Sequence, residues 1–265
     1  FTISETIGEA KGKANVLAHL AREATTDYFF ITDADIAVPP NWVQAMLAQL
    51  KPDTGIVTGI TTVSGNTLFS EMQRLDWLYA LGLMQVVSDL GLPVSTMGNN
   101  MLITRKAYEA TGGYGKIQFS VTEDIALFQE VLKKGFGFRN VYQPEVLAWS
   151  EPALSLVQLL HQRKRWMKGS MHLPWYMIVI FVVHASYYPV LLPFLFNAAF
   201  PFAVAVFTLK LVLQSIFVHF CAKRAKIRVE AHQYILLEVY LMLTSLLLIL
   251  FFFLPTGIRW KERRY

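Results

Sequence analysis

Between Leu173 and Ala222 the chain carries a single formal charge, Lys210. At about 20 residues per helical crossing, this stretch has room for two membrane spans, broken near Pro189, Pro193 or Pro201. Residues 234–254 (YILLEVYLMLTSLLLILFFFL), charged only at Glu238, form a third candidate. The expectation is therefore a transmembrane helical region over 171–258, with two to three spans, followed by a basic tail at 259–265. Basic segments at 163–168, 223–228 and 259–264 flank the apolar stretches. The positive-inside rule puts the first two in the cytoplasm, as a hairpin between them requires. It would put the third there too, which a single crossing at 234–254 forbids. Either the tail faces outward against its charge, or one apolar segment is re-entrant or interfacial. Lys210 reads as a snorkelling side chain, with a polar path through the spans as the alternative.

The rest of the chain is different in kind. Residues 1–160 hold 11 Lys and Arg against 16 Asp and Glu, a net of −5, whereas residues 161–265 hold 13 against 3, a net of +10. The sequence pI of about 9.2 thus does not describe a nucleic-acid binder. It describes a mildly acidic globular part joined to a membrane part whose charges sit in its loops. One cysteine, Cys221, excludes an internal disulfide framework and fits a reducing cytoplasm. Cys221 reads as a passive buried thiol. The start at Phe1, without methionine or signal peptide, reads as a piece whose N-terminal part is missing.

In residues 1–170 strands alternate with helices. Residues 11–24 read as an amphipathic helix with Val16, Leu17, Leu20 and Ala24 at helical spacing. Tyr28–Thr32 reads as a buried strand ending at Asp33-Ala34-Asp35. Asn41 caps a helix to about Leu50, residues 55–62 alternate like a strand, and 67–90 form a long helix whose Glu71 and Asp76 lie on a solvated face. A strand at 97–104, a turn at Gly112-Gly113, a helix from Thr122 to Lys134 and strands within 137–149 complete an α/β domain, expected to have a mostly parallel sheet.

Three short motifs carry chemistry. Asp33 and Asp35, two apart at a strand end, suit a hard divalent cation, Mg²⁺ or Mn²⁺, that keeps open positions for water and diphosphate oxygens. Read alone, such a pair is also an ordinary solvated turn. Thr122-Glu123-Asp124 is good helix N-terminal chemistry, and its Asp124 is a candidate general base for an attacking hydroxyl. In Gln162-Arg163-Lys164-Arg165-Trp166, a guanidinium fork and an indole face suit a sugar-phosphate. The alternative is a basic juxtamembrane flank lying against lipid phosphates. His161, His172 and His184 have no metal-ligand spacing, and Phe251-Phe252-Phe253 reads as lipid-facing bulk.

The order Asp-x-Asp, Thr-Glu-Asp, Gln-x-x-Arg-Trp and then spans resembles the family 2 glycosyltransferases. The likeness is to the membrane-bound branch with cellulose, hyaluronan and chitin synthases and ceramide glucosyltransferases. Gly12-Lys13-Ala14, the run from Gly98 to Arg105, Gly112-Gly113-Tyr114 and the tail Trp260-Lys261-Glu262-Arg263-Arg264-Tyr265 add to it. The resemblance implies a partial GT-A-type nucleotide-sugar-binding domain over 1–170, followed by the α-helical transmembrane region. It implies an inverting, metal-dependent transfer of a sugar from a nucleotide-diphosphate donor, a UDP-sugar, to a lipid or glycan at the cytoplasmic face of the inner or plasma membrane. A processive polysaccharide synthase and a non-catalytic protein with a degenerate sugar-nucleotide domain are the alternatives. By the same resemblance Asp33 and Asp35 hold the metal and the donor diphosphate, Asp124 is the catalytic base, and Lys13 lies near the nucleotide. Gln162, Arg165 and Trp166 hold the diphosphate and the acceptor end. The family's first strands and first acidic residue would precede Phe1, so this stretch by itself is expected to bind donor poorly and turn over little.

Overall fold

The computed structural model describes residues 3, 5–118, 120, 122–170, 173–254, 259–260 and 263–264. Contacts divide the chain into two compact units, Phe1–Thr61 with Met84–Ser150, and Thr62–Leu83 with Glu151–Tyr265. In chain order the elements are α1 (Lys13–Glu23), β1 (Tyr28–Thr32), β2 (Ile36–Ala37), α2 (Trp42–Leu47), β3 (Thr54–Thr58), β4 (Ile60–Val63), α3 (Leu68–Asp89), β5 (Asn100–Thr104), α4 (Arg105–Thr111), α5 (Glu123–Lys133), β6 (Gly137–Asn140) and β7 (Leu147–Ser150). Then come α6 (Leu156–Ser170), α7 (Trp175–Leu191), α8 (Phe200–Arg224), α9 (Ala231–Phe253), β8 (Arg259–Trp260) and β9 (Arg263–Arg264). This is a mixed α/β domain followed by an apolar helical region. The helix α3 is shared, its residues up to Leu83 falling in the second unit and those from Met84 in the first.

The first unit is built on a four-stranded sheet in the order β1-β5-β3-β6 and a smaller one in the order β2-β7-β4. The expected mostly parallel sheet is corrected here. Within the four-stranded sheet β5 runs between β1 and β3 and is antiparallel to both, while β3 and β6 pair in parallel. The strands pack as the two-residue period requires. Ile31, Ile56, Met101 and Ile103 face a core closed by α1, α4 and α5, whereas Val57 and Leu102 face the opposite core, with Trp42, Met46, Val141 and Val146. On α1 the buried stripe is Ala14 and Ala18, not the expected Val16 and Leu20, which are exposed. The small residues let the helix approach the sheet closely.

Asn100 fixes where the small sheet begins. The strand expected at 55–62 is broken at Gly59, where an added Cβ would lie 2.5 Å from Asn100 Oδ1. The Asn100 side chain donates to the carbonyls of Ile60 and Val146, both at 2.8 Å, and accepts from Trp42 Nε1 at 2.8 Å. It is fully buried. Asn41, expected to cap α2, makes no side-chain cap bond.

In the second unit, Trp175–Phe196, Phe200–Arg224 and Ala231–Phe253 are three helical stretches long and apolar enough to cross a membrane. Lys210 does not snorkel. Its ammonium pairs with Glu238 and donates to Tyr188 Oη at 2.8 Å. Tyr188 in turn donates to Glu238 Oε1 at 2.9 Å, and Gln214 Nε2 donates to Oε2 at 2.9 Å, so one carboxylate ties α7, α8 and α9 together. Two opposite charges and three hydrogen bonds make a burial that neither charge would tolerate alone. Glu71 and Asp76 are not on a solvated face either: Glu71 accepts from Gln233 Nε2 at 2.9 Å, and Asp76 is ion-paired with Arg163. Phe251 is not simply lipid-facing, since its ring meets His161 edge-on at 4.9 Å. Cys221 is a buried thiol outside any disulfide, packed so closely that an added Cβ on Gly82 would meet its sulfur. His172 and tail residues 255–258, 261, 262 and 265 lie outside the described residues.

Replacing Asn100 by Ala strands the indole N–H of Trp42 and the carbonyls of Ile60 and Val146. The expected loss is about 3 kcal/mol or more, read as a lowered urea midpoint followed by tryptophan fluorescence.

Candidate active site

Asp33-Ala34-Asp35 forms the turn between β1 and β2, closed by Ile36 N donating to Asp33 O at 3.2 Å. Strand β1 is pinned to β5 from Tyr28↔Thr104 to Thr32↔Asn100, so the turn begins where the strand pairing ends. Lys13, the first residue of α1, reaches this turn. Its Nζ donates to Asp33 Oδ1 at 2.5 Å and to Gly98 O at 3.1 Å, with Glu123 Oε1 at 3.6 Å.

From the other side of the same residue, Gly98 N donates to Asp124 Oδ2 at 2.7 Å. The approach needs glycine, because an added Cβ would stand 2.9 Å from Asp124 Cβ. Asp124 therefore does more than decorate a helix N-terminus. One carboxylate oxygen is aimed out of α5 at the Gly98 peptide, while Thr122, the N-cap, makes no side-chain cap bond. The structure thus brings Lys13, Asp33, Glu123 and Asp124 together around Gly98, with Asp35 two residues from Asp33.

Charge explains the cluster's character. Burial pulls the Lys13 ammonium down, but the bond and charge of Asp33 and the charges of Glu123 and Asp124 outweigh it, so its pKa stands above the ordinary 10.5. Burial pushes the Tyr114 phenol well up, and the charges of Glu123 and Asp124 push the same way. With three carboxylates to one ammonium, the site has a negative surplus and so attracts a cation. Among the described residues no group of three or more His, Cys, Asp or Glu is arranged to hold a metal by itself. Asp33 and Asp35 still fit a hard cation, since such an ion needs one or two carboxylates and takes its other oxygens from water and phosphate.

Gln162, Arg165 and Trp166 belong to the second unit, on α6 at positions i, i+3 and i+4, which is one helix face. Their neighbours in the motif are turned inward. Arg163 Nη2 pairs with Asp76 Oδ2 at 2.5 Å, the two side chains 19% and 15% exposed. Lys164, 3% exposed, donates to the carbonyls of Leu254 at 2.7 Å and Phe251 at 3.2 Å, serving the C-terminal end of α9 as a cation should. A flank for lipid phosphates would turn these side chains outward. The indole of Trp166 meets that of Trp77 perpendicularly at 4.9 Å, and the Arg163 guanidinium lies over its ring at 4.7 Å.

Sequence reasoning missed Glu123, Asp76, Trp77 and Arg163 as members of these clusters, and gave Gly98 a place only as the start of a run resembling the family's acceptor-side segment. Glycine at 98, before two asparagines, was the available signal for a close backbone approach.

A lysine whose folded pKa lies above its unfolded one stabilises the fold while it is charged. For Lys13 that contribution is complete below the ordinary 10.5 and fades as pH rises through the raised value. The Tm difference between the protein and Lys13→Met is expected to be constant near neutrality and to shrink in strong alkali. A difference that grows with pH would contradict the assignment.

Comparison with known proteins places the chain among the glycosyltransferases. A synthase of poly-β-1,6-N-acetyl-D-glucosamine from Staphylococcus aureus strain COL is 27% identical over 164 residues, covering 61% of this chain and 39% of the relative. The synthase of the same name from Staphylococcus epidermidis is 25% identical over 162 residues, 60% of this chain and 39% of the relative. The match thus spans about two-fifths of the length of these relatives. The profile described as glycosyl transferase family 21 matches residues 4–265, nearly the whole chain. The family is numbered 21 rather than 2, and the likeness to family 2 stands at the level of a glycosyltransferase of that general kind. With an acidic cluster in an α/β unit and three apolar helices later in the chain, this chain belongs to glycosyl transferase family 21.

Proposed function

We propose that the protein is an inverting glycosyltransferase that moves a sugar from a nucleotide-diphosphate donor, a UDP-sugar, to a lipid or glycan acceptor at the cytoplasmic face of a membrane. The observation that carries this reading is the meeting of two motifs at one residue, Gly98. Asp33 and Asp124 are both held at Gly98, the first through Lys13 and the second directly. Donor chemistry and acceptor chemistry then share one small region, as a single displacement needs.

In this reading Asp124 takes the proton of an acceptor hydroxyl as the oxygen bonds to the anomeric carbon. The nucleotide diphosphate leaves with the electron pair of the broken bond. The Gly98 amide fixes the carboxylate's direction, and Lys13 sets the position of Asp33 while offering positive charge beside the donor. Asp33 and Asp35 would hold Mg²⁺ or Mn²⁺, which when bound neutralises charge on the departing diphosphate. Gln162, Arg165 and Trp166 supply an amide, a guanidinium and an indole for the diphosphate and the acceptor end. The narrower likeness, to ceramide glucosyltransferases on one side and to cellulose, hyaluronan and chitin synthases on the other, turns on the acceptor. The names of the staphylococcal relatives favour a second reading, a synthase that extends a polysaccharide.

Membranes carrying the full-length protein, given divalent cation and radiolabelled UDP-sugars, distinguish these. Label in organic-soluble product identifies a lipid acceptor, and label in high-mass insoluble material identifies a polymer. Absence of transfer with every nucleotide sugar would overturn the enzymatic reading. Asp124→Asn is expected to lower transfer by about 10²–10⁴-fold while leaving nucleotide binding largely intact. Equal loss of both would make Asp124 structural. Asp35→Ala is expected to weaken donor binding only when divalent cation is present, and an unchanged cation requirement would remove it from the metal site.

A further inference from the structure

Within the Gln-x-x-Arg-Trp segment, Arg163 stands between Gln162 and Arg165 at a position the motif leaves unspecified. Its surroundings are nonetheless well defined. The guanidinium is pinned by the Asp76 carboxylate at 2.5 Å and lies over the Trp166 ring at 4.7 Å. Trp77, next to Asp76 on α3 and itself buried, meets the Trp166 indole at 90° with 4.9 Å between ring centroids. Two consecutive residues of α3 therefore act on one indole of α6, one through a charge relayed by Arg163 and the other by direct contact.

We propose that Asp76 and Arg163 are positioning residues for Trp166, which with Trp77 fix the plane of the indole against which the acceptor binds. This rests on the reading of Trp166 as an acceptor contact. The physical case is one of chemistry and of rotamers. A guanidinium is planar and always charged, so it can lie on an aromatic face while its fork engages a carboxylate. Asp76 supplies the second anchor without which a long arginine side chain would sample many positions over the ring. An ammonium could keep the ion pair but not the flat cover. Since Arg163 is committed to Asp76 and Trp166, it is not the member of the motif that reaches for phosphate.

The perpendicular Trp77–Trp166 pair provides a readout independent of activity. Indoles this close couple their excited states and give a split far-ultraviolet circular dichroism band, assigned by its loss in both Trp77→Phe and Trp166→Phe. The experiment measures this band, acceptor KM, kcat and nucleotide binding in the full-length protein in lipid nanodiscs. Asp76→Asn and Arg163→Lys are each expected to weaken the band and raise acceptor KM by on the order of tenfold with nucleotide affinity unchanged, and Asp76→Glu to restore most of both. An unaltered band in Asp76→Asn and Arg163→Lys overturns the positioning role. A weakened band with unchanged acceptor KM leaves the clamp standing and overturns the acceptor role of Trp166, so the two failures are distinguishable.

Discussion

Gly98 is held through both of its flanking peptide groups, its carbonyl accepting from the Lys13 ammonium and its amide donating to the Asp124 carboxylate. Each grip depends on a different part of the first unit. Lys13 opens α1, which lies on the sheet through Ala14 and Ala18, and Asp124 is in the first turn of α5, which lies on it through Leu127, Phe128 and Val131. Asp33, at the end of β1, is fixed by the same ammonium. The direction of each charged group is thus set by a helix packed on the core, and a displaced helix would misalign the carboxylate. Glycine at 98 is what permits the approach, since any side chain would press on Asp124.

Much of this was legible in the sequence, for reasons that can be named. The strand ending at Asp33, the helix opening at Thr122 and the long helix at 68–89 all announce themselves by local chemistry: an apolar β-rich run, acidic first-turn residues and a helical period. Sheet direction does not, because β5 lies between β1 and β3 only as a consequence of long-range pairing. The alanine stripe of α1 was hidden for a related reason. Hydropathy ranks valine and leucine above alanine, but a helix that must lie close to a sheet buries its smallest face.

The charged residues of the second unit were hardest to read. Asp76 and Arg163 are 87 positions apart, as are Lys164 and the Phe251 carbonyl it serves, and nothing local advertises either partnership. A polar residue on an amphipathic helix looks solvated until its partner is known. The same holds for Lys210, which alone suggests a snorkelling side chain and in company is half of an ion pair. Placement on one helix face is easier to read, since the spacing of Gln162, Arg165 and Trp166 alone puts them on the same side of α6.

That ion pair also bears on how the protein is made. On insertion scales an unpaired Lys or acidic side chain at the centre of a helix costs roughly 2.5–3.5 kcal/mol. Lys210 lies in α8 and Glu238 in α9, joined by a short connection from Ala225 to Glu230. A nascent α8 released alone into lipid would expose its ammonium until the next helix emerged from the ribosome. Entry of the two helices together, as a hairpin already neutralised, avoids that interval, so the order of biosynthesis is written into a contact between side chains.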